Sequence, residues 1–423
     1  MNDSRTLVEH FFRHEYGRLV AVLTRSLGIR NLPLVEDVVQ TALSKAIQGW
    51  GQNGIPDNPA AWLHRTARNL AIDALRRIQT ERRLLSSECV EPSTSNDVLN
   101  ATLQSYEEVG DEPLRFFFLC CHPSIPTESS IAFALKTVSG FSIDEVASAL
   151  LISTASAEKR ISRAKEKLRE LGTELAELDT KAIVSRIEAV QLALYLLFNE
   201  GYASSNGDSS LRNDLCNEAI RLARMLVEVI PCSKSASCAL LALMLMHSAR
   251  FEARVGRDGT IVLLEDQNRA QWNWSLIREA MLWMAKSASG DELSRYHVEA
   301  AIAWEHCRAA SFDEVDWKAI TDRYRILAEI QPSPMVQLNL AIAVSYASSS
   351  EDGLNLLTQI SAKDRVRLRP WWDCAIAEIF HRLGRTQDAI AHWQDAIALA
   401  TNFRQRELIG NRISNAKTTT LLE

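Results

Sequence analysis

The sequence predicts an all-α protein in three parts, and three observations carry this prediction. Apolar residues recur at helical spacing along almost the whole chain, and strand-like alternation between turn signals is scarce. One polar stretch without periodicity, between residues 79 and 111, interrupts the pattern. The 423 residues also exceed what one hydrophobic core usually organises, so several domains are expected.

Composition narrows the class of protein. With 47% hydrophobic and 24% charged residues, the chain is typical of a soluble globular protein. The net charge of −6 argues against a protein coated in nucleic acid, although the distribution of charge matters more than the total. The N-terminus, MNDSRTLVEHFF, lacks the pattern of a signal peptide, and no apolar run reaches the length of a membrane span. We therefore expect a cytoplasmic protein with no membrane partner.

Cysteine usage points the same way. The eight cysteines are scattered and none forms CxxC, so we expect reduced, mostly buried thiols rather than a disulfide framework or a zinc ribbon. The pair in "CCHP", Cys120 and Cys121, lacks a second pair at ligand spacing. Catalytic motifs such as GxSxG, HExxH and GxxxxGK[ST] are absent. We predict a protein that is not an enzyme and has no metal or cofactor.

The first part, from about Thr6 to Arg77, predicts three or four helices. The second of these covers roughly Leu34 to Trp50, because Pro33 opens it and acids occupy its first turn. A glycine-rich loop, GWGQNGIPDNP, separates it from the helix in "NPAAWLHRTARNLAIDALRR".

That last helix is cationic on one side. The helical spacing predicts a buried stripe of Leu63, Ala67, Leu70 and Ala74. A neighbouring face carries Arg65, Asn69, Ile72 and Arg76, with Arg68 and Arg77 beside them. Trp62 and His64 stand at the start of the helix. Aromatic rings beside guanidinium groups suit unpaired bases and their phosphates. A core tryptophan with solvated arginines fits this helix equally well, and both interpretations stay open here.

A helix-turn-helix follows the polar linker. TESSIAFALKTVSG predicts a helix that ends at Gly140, FSIDEVASALLI a short helix started by Ser142, and STASAEKRISRAKEKLRE a helix capped by Ser153 or Thr154. Core positions on the third helix are Ala157, Ile161, Ala164 and Leu168, which turns Lys159, Arg160, Arg163 and Lys167 outward. From Lys159 to Arg169, six basic residues meet one acid. Such a helix can enter a major groove.

The last 240 or so residues are rich in Ala and Leu and predict helical hairpins. "WWDCAIAEIFHRLGRTQDAIAHWQDAIALA" predicts two helices around a turn at Gly384, with Ala389, Trp393 and Ala396 on one face. "PSPMVQLNLAIAVSYASSSEDGLNLLTQI" has a similar outline.

Two polar stretches of this part, "FNEGY" and "EDQNRAQWNW", form either an internal polar network or a docking site. The residues concerned are Asn199, Glu200, Tyr202, Asp266, Gln267, Arg269 and Trp272.

The pairing of "EDVVQTALSKAI" with "AWLHRTARNLAIDALRR", followed by a linker and a basic helix-turn-helix, resembles the extracytoplasmic-function (ECF) sigma factors of bacterial RNA polymerase. "LFNEGYASSNGD", "LCNEAIRLARML" and "LLEDQNRAQW" resemble the tetratricopeptide-like C-terminal extension of one branch. The resemblance implies region 2 at 1–78, a linker at 79–111, region 4 at 112–178 and a regulatory hairpin domain at 179–423.

The resemblance also implies site residues and partners. Asp37 and Gln40 match the contact with the β′ clamp helices of core RNA polymerase, where Thr41 replaces a frequent Glu, and region 4 would meet the β flap. Residues that match the minus-ten helix are Trp62, Arg65, Arg68, Asn69, Asp73 and Arg76, and the loop from Gly51 to Asn58 matches the segment that captures a flipped base. Residues of the helix that reads the minus-thirty-five element are Ser156, Lys159, Arg160, Arg163 and Lys165, where Glu158 replaces a frequent lysine.

The expected function is promoter-specific initiation of transcription. The C-terminal domain, or a small regulatory protein, would modulate it. Two other functions remain open at this stage: a helix-turn-helix regulator that never engages polymerase, and a helical-repeat scaffold.

Overall fold

The computed structural model describes residues 2–85, 112–172, 179–202, 212–229, 235–256, 260–290, 292–400 and 403–422. Within these ranges the regular structure is helical, apart from an isolated bridge between Val255 and Ile261. The predicted all-α class is confirmed. The chain divides into two compact units, Met1–Leu197 with Glu228–Cys232, and Phe198–Val227 with Ser233–Glu423.

Three long helices open the first unit: α1 (Asn2–Leu27), α2 (Leu32–Asn53) and α3 (Pro59–Leu85). Pro33 lies in the first turn of α2, where its missing N–H leaves no helical hydrogen bond unmade. Gly54 ends α2 with a φ of 82°, a conformation that glycine adopts without strain. The third helix continues past Arg77 to Leu85, into the predicted linker, and residues 86–111 of that linker lie outside the described part.

The helix-turn-helix forms as predicted, within α4 (Glu112–Cys120), α5 (Thr127–Thr137), α6 (Ile143–Ala149) and α7 (Thr154–Leu171). Ser142 caps α6 in a capping box with Glu145, and Ser153 caps α7 by accepting from the backbone N–H of Ser156. These caps satisfy backbone donors that would otherwise be lost at each helix start. The core of the motif is aromatic, because Phe116, Phe117, Phe118, Phe133 and Phe141 are all fully buried.

One helix, α8 (Thr180–Tyr202), is long and apolar enough to cross a membrane by length and composition alone. Its apolar side chains Ile187, Val190, Leu194 and Leu197 are fully buried inside the protein, and the polar Arg186 and Gln191 are also buried. A mostly buried apolar face is typical of a core helix.

The second unit is a succession of helices of mostly 10 to 20 residues. Their bounds are α9 (Asn213–Val229), α10 (Ser235–Ser248), α11 (Phe251–Arg254), α12 (Trp274–Ser287), α13 (Arg295–Arg308), α14 (Trp317–Ile330), α15 (Pro334–Ala347), α16 (Ser350–Gln359), α17 (Ala362–Leu368), α18 (Trp371–Arg382), α19 (Thr386–Leu399) and α20 (Phe403–Leu422).

Helical hairpins build the end of this unit, as the spacing of small residues predicts. Ala389, Trp393 and Ala396 of α19 are buried against α18, and Gly384 makes the turn with a φ of 72°. In the hairpin of α15 and α16, a Cβ on Gly353 would lie 2.4 Å from the Cβ of Ser345. The two helices therefore approach closely because this residue has no side chain.

Candidate nucleic-acid interface

The outward face of α2 carries the two residues expected to contact polymerase. Val35, Val38, Val39 and Ala42 are buried and hold the helix against the unit. Asp37 and Gln40 point away from this stripe and are exposed, as is the neighbouring Thr41, whose hydroxyl donates to the carbonyl of Asp37 at 2.8 Å. This face presents one carboxylate and one amide to solvent.

The cationic face of α3 is open to solvent. Leu63, Ala67 and Ala71 are fully buried, whereas Arg65, Asn69, Asp73 and Arg76 on another side of the helix are exposed. Arg76 and Asp73 form an exposed pair at 3.9 Å, which solvent screens strongly. Within the described residues, the guanidinium of Arg65 meets no acid. The face is thus available for phosphates.

The tryptophan at the start of α3 is less accessible than its arginines. Trp62 is half-buried and meets Trp50 edge to face at 5.6 Å, and Trp50 stacks on Phe12 at 5.5 Å. Arg68 is also half-buried, and among the described residues its Nε has no hydrogen-bond partner. This helix has solvated arginines on one side and a half-buried tryptophan on the other, the arrangement that one of its two interpretations expects. In the adjoining loop, the aliphatic side chain of Ile55 is 63% exposed.

A buried carboxylate, which the sequence pattern does not reveal, fixes the beginning of α3. Glu15 of α1 is only 3% exposed and lies 3.4 Å from His64 Nε2, 3.5 Å from His14 Nδ1 and 3.6 Å from an Arg18 guanidinium nitrogen. Burial alone would raise the pKa of Glu15, but the two histidines and Arg18 outweigh it and lower the pKa to about 2. His64 therefore acts as an anchor between α1 and α3.

In the described part of the chain, some cations of α7 form ion pairs and others do not. Ser156, Lys159 and Arg163 are exposed, as expected of a face that reads DNA. Arg160 is paired with Glu128 of α5 at 2.6 Å, and Lys165 is paired with Glu36 of α2. The expected groove-facing role of these two residues would require both ion pairs to break. The sequence pattern does not predict either pair.

Further contacts join the helices of the first unit around that ion pair. Arg13 of α1 donates to the buried carboxylate of Glu145 at 2.9 Å, and Arg25 pairs with Glu112. A Cβ on Gly17 of α1 would lie 1.8 Å from the carbonyl oxygen of Val138, so the two backbones touch there. We call this set of contacts, together with Glu36–Lys165, the α1–α2/helix-turn-helix contact.

Polar residues singled out in the C-terminal part form a network in the second unit. Arg250 donates to the Tyr202 hydroxyl at 2.5 Å, and Arg254 lies 3.8 Å from the centre of that ring. These two cations outweigh burial and lower the pKa of Tyr202.

The same network includes the second polar stretch. Arg269 lies 4.6 Å from the ring centre of the buried Trp272 and donates to the carbonyls of His306 and Ala309. Burial, with Arg250 and Arg269, lowers the pKa of His306 to about 3, so this imidazole is neutral. The amide of Gln267 donates to the carbonyl of Val262 at 3.1 Å. These bonds run inside the unit, which is the internal network that one of the two interpretations expects.

The other three candidate docking residues differ in exposure. Asn199 and Asp266 are exposed, and Glu200 is buried. The seven residues therefore do not form one exposed patch.

Candidate metal ligands are held by other partners. Cys120 and Cys121 are buried, and burial raises the pKa of Cys121 to about 12, which disfavours the thiolate that a metal needs. Asp373, His392 and Asp395 approach one another within 4.8 Å. Arg369 bridges the two carboxylates, at 2.5 Å from Asp373 and 3.3 Å from Asp395, so its guanidinium already occupies the position of a cation.

Comparison with known proteins assigns three segments of the chain. Residues 11–81 match the family Sigma-70 region 2, residues 118–168 match Sigma-70, region 4, and residues 186–288 match a family of unknown function, DUF6596. An uncharacterised protein of Rhizobium meliloti, R00370, is 36% identical over 389 residues, which cover 91% of each chain. No solved structure matches.

Proposed function

We propose that this chain, which belongs to the ECF-type sigma factors and carries a C-terminal helical extension, engages promoters through two cationic helices of unequal availability. As a sigma factor it directs RNA polymerase to promoters and belongs to a non-enzymatic family. Sigma factors act in the cytoplasm.

The proposed polymerase contact is the outward face of α2. Asp37 and Gln40 are exposed one helical turn apart and would meet the clamp helices of the β′ subunit. Thr41 beside them supplies a hydroxyl where a carboxylate would add charge, so the contact relies on a single acid. Region 4 would dock on the β flap.

The proposed minus-ten contact is the face of α3. Arg65, Asn69 and Arg76 would hold the melted strand by its phosphates and base edges. Trp62, Arg68 and Asp73 would support them, Trp62 from within the aromatic cluster and Asp73 through its pair with Arg76. In the loop before α3, the exposed Ile55 would pack against a base that has left the stack.

The proposed minus-thirty-five contact is the exposed side of α7. Ser156, Lys159 and Arg163 at its first turns would meet base edges and phosphates of the major groove. Arg160 and Lys165 would join them once Glu128 and Glu36 release them.

The observation that carries the proposal is the ion pair between Lys165 of α7 and Glu36 of α2. Promoter elements about 25 base pairs apart span roughly 85 Å of duplex at about 3.4 Å per base pair. Helices joined by a direct side-chain pair cannot lie on both elements at once. We infer that the described arrangement is a resting form, and that core polymerase binding separates α3 from α7.

For the C-terminal extension we propose a modulating role in cis, beside or in place of a small inhibitory protein. Its boundary with region 4 would lie near residue 179. Deleting the residues after about 180 should then change transcription from the target promoter, and an unchanged output would oppose this role.

The test of the sigma contacts is binding of core polymerase to the full chain. Changing Asp37 and Gln40 together to alanine should weaken binding about tenfold or more, because each side chain contributes on the order of 1 kcal/mol at an interface. A matched control changes the exposed Asp313 and Gln387 to alanine and removes the same two groups elsewhere. Equal binding by both double variants would refute the assignment of this face.

A further inference from the structure

A cavity of about 340 Å³ opens in the second unit, among helices to which no activity is assigned. Its walls come from the segment Leu263–Glu265 and from α14, α15, α18, α19 and α20. This volume is within the range of small-molecule sites in proteins. The residues that decide what could enter fall into an aromatic group and a charged group.

The aromatic group forms one wall. Trp317 stacks on Tyr346 at 4.3 Å with an interplanar angle of 16°, and Phe312 meets both rings edge to face. Trp393 closes the cavity from α19. Aromatic faces carry negative electrostatic potential, so they attract both apolar groups and cations.

The charged group contains two carboxylates and one guanidinium. Arg412 of α20 pairs with Glu265, which compensates that carboxylate. Glu378 of α18 lines the same cavity, and within the described residues its carboxylate forms no hydrogen bond or ion pair. One acidic group therefore faces a mostly apolar space without a direct partner among the described residues.

The surroundings of Glu378 indicate how unfavourable its isolated charge is. Burial raises the pKa of Glu378, although Arg412, His381 and Arg382 act against the rise. Burial and the fields of Glu378 and Glu265 also raise the pKa of the Tyr346 hydroxyl to about 12. A cation in the cavity would relieve both effects, because it would supply the charge that the walls lack.

We propose that this cavity binds a small organic amine, in which an apolar body packs on Trp317, Tyr346 and Trp393 and an ammonium group pairs with Glu378. The amine would be held by charge complementarity at one end and by apolar burial at the other. Binding of this kind is independent of the sigma contacts, so the two can fail separately.

Three probes of similar size and different charge test the proposal on the full chain at pH 7.5: phenethylamine, 2-phenylethanol and 3-phenylpropanoate. Calorimetric titration should detect the amine and give at least tenfold weaker binding of the alcohol and the anion. If the alcohol binds as tightly as the amine, the cavity selects apolar surface alone; if the anion binds best, Arg412 is the recognition group; if none binds, there is no such site. Each of these results overturns the proposal.

Two variants locate the ammonium group. Glu378→Gln keeps the shape of the side chain and should weaken amine binding about tenfold, and Glu351→Gln removes an exposed acid of α16 as the matched control. Arg412→Gln should leave amine binding equal or tighter, because it releases Glu265 as a second acceptor. Thermal melts of each variant establish that it is folded. Unchanged binding by folded Glu378→Gln, or lost binding by folded Arg412→Gln, would contradict the assignment.

Discussion

The two cationic helices of the first unit, α3 and α7, carry similar charges in different surroundings. On α3 the exposed cations meet solvent, and the nearest acid, Asp73, belongs to the same helix. On α7 two of the cations are paired with acids from other helices, Arg160 with Glu128 and Lys165 with Glu36. A helix that carries positive charge is therefore not by itself a free DNA-binding surface.

This difference suggests a division of roles before polymerase binds. In its proposed role the face of α3 would need melted DNA, which the free chain does not encounter, so leaving this face open would have little consequence. The face of α7 fits ordinary duplex and would bind nonspecific DNA through phosphates. In the proposed role, pairing part of its charge with acids of the same unit would reduce that nonspecific binding.

The largest expected effect is on α3. Changing Arg65, Asn69 and Arg76 together to alanine should lower transcription from the target promoter about 100-fold or more, because stacking and phosphate contacts each contribute about 1–3 kcal/mol. Run-off transcription with core polymerase measures it. The exposed cation Lys318 of α14, changed to alanine, is the control. A loss no larger than in that control would show that the face of α3 does not contact promoter DNA.

A smaller effect is expected on α7. Arg163 is exposed, and among the described residues it has no ion-pair partner. Arg163→Ala should therefore lower promoter affinity about tenfold. It should also reduce the slope of affinity against salt by about the share of one phosphate contact. Binding of the holoenzyme to promoter DNA over a salt series measures both. Glu170→Gln, which only frees the exposed Lys167, should leave the slope unchanged. If scrambling the minus-thirty-five element lowers the promoter affinity of the variant as much as that of the wild type, Arg163 does not read that element.

The α1–α2/helix-turn-helix contact can be broken from within. In Gly17→Ala the new Cβ would overlap the carbonyl oxygen of Val138, although alanine suits the helix itself. Separation should raise the affinity of the free chain for duplex DNA about fivefold, because the competent form becomes more populated. Gly49→Ala on α2, with no atom within 4 Å of the new Cβ, is the matched control. Equal DNA affinity of the two variants would show that the contact does not restrain α7.

The smallest effect is expected at the anchor of α3. Glu15 has a lowered pKa, so its contribution to folding is present above its unfolded pKa of about 4.5 and is lost as the pH falls toward about 2. Glu15→Gln should lower the melting temperature by about 5 °C at pH 7. It should also make the melting temperature depend less on pH between those two pKa values. Thermal melts from pH 7 to pH 3 would measure it. A constant difference between wild type and variant across that range would rule out the ionised anchor.

The sequence was sufficient for features with a local cause. Caps at Ser142 and Ser153, the turn at Gly384 and the small residues Ala389 and Ala396 each follow from the conformational preference of one residue. The resemblance to sigma factors likewise rests on short motifs with fixed spacing, and matches to regions 2 and 4 confirm it.

Features that join distant segments could not be derived in the same way. Glu36 and Lys165 are separated by most of the first unit in sequence, and each is an ordinary charged residue on an amphipathic helix. Glu15 is one acid within α1, and Glu378 is one acid within α18. The burial of Glu15 and the position of Glu378 in the cavity wall distinguish them, and no sequence pattern does. The aromatic cluster of Trp50 and Trp62 similarly depends on how α2 and α3 pack.

The distance between α2 and α7 in solution tests most directly whether core polymerase opens a resting form of this protein. Dyes attached at the exposed residues Lys45 and Ser162 would report it by energy transfer, first in the free chain and then with core polymerase and promoter DNA. We predict high transfer in the free chain and a large decrease in the complex. Low transfer in both states, or unchanged high transfer in an actively transcribing complex, would contradict a resting form that polymerase opens.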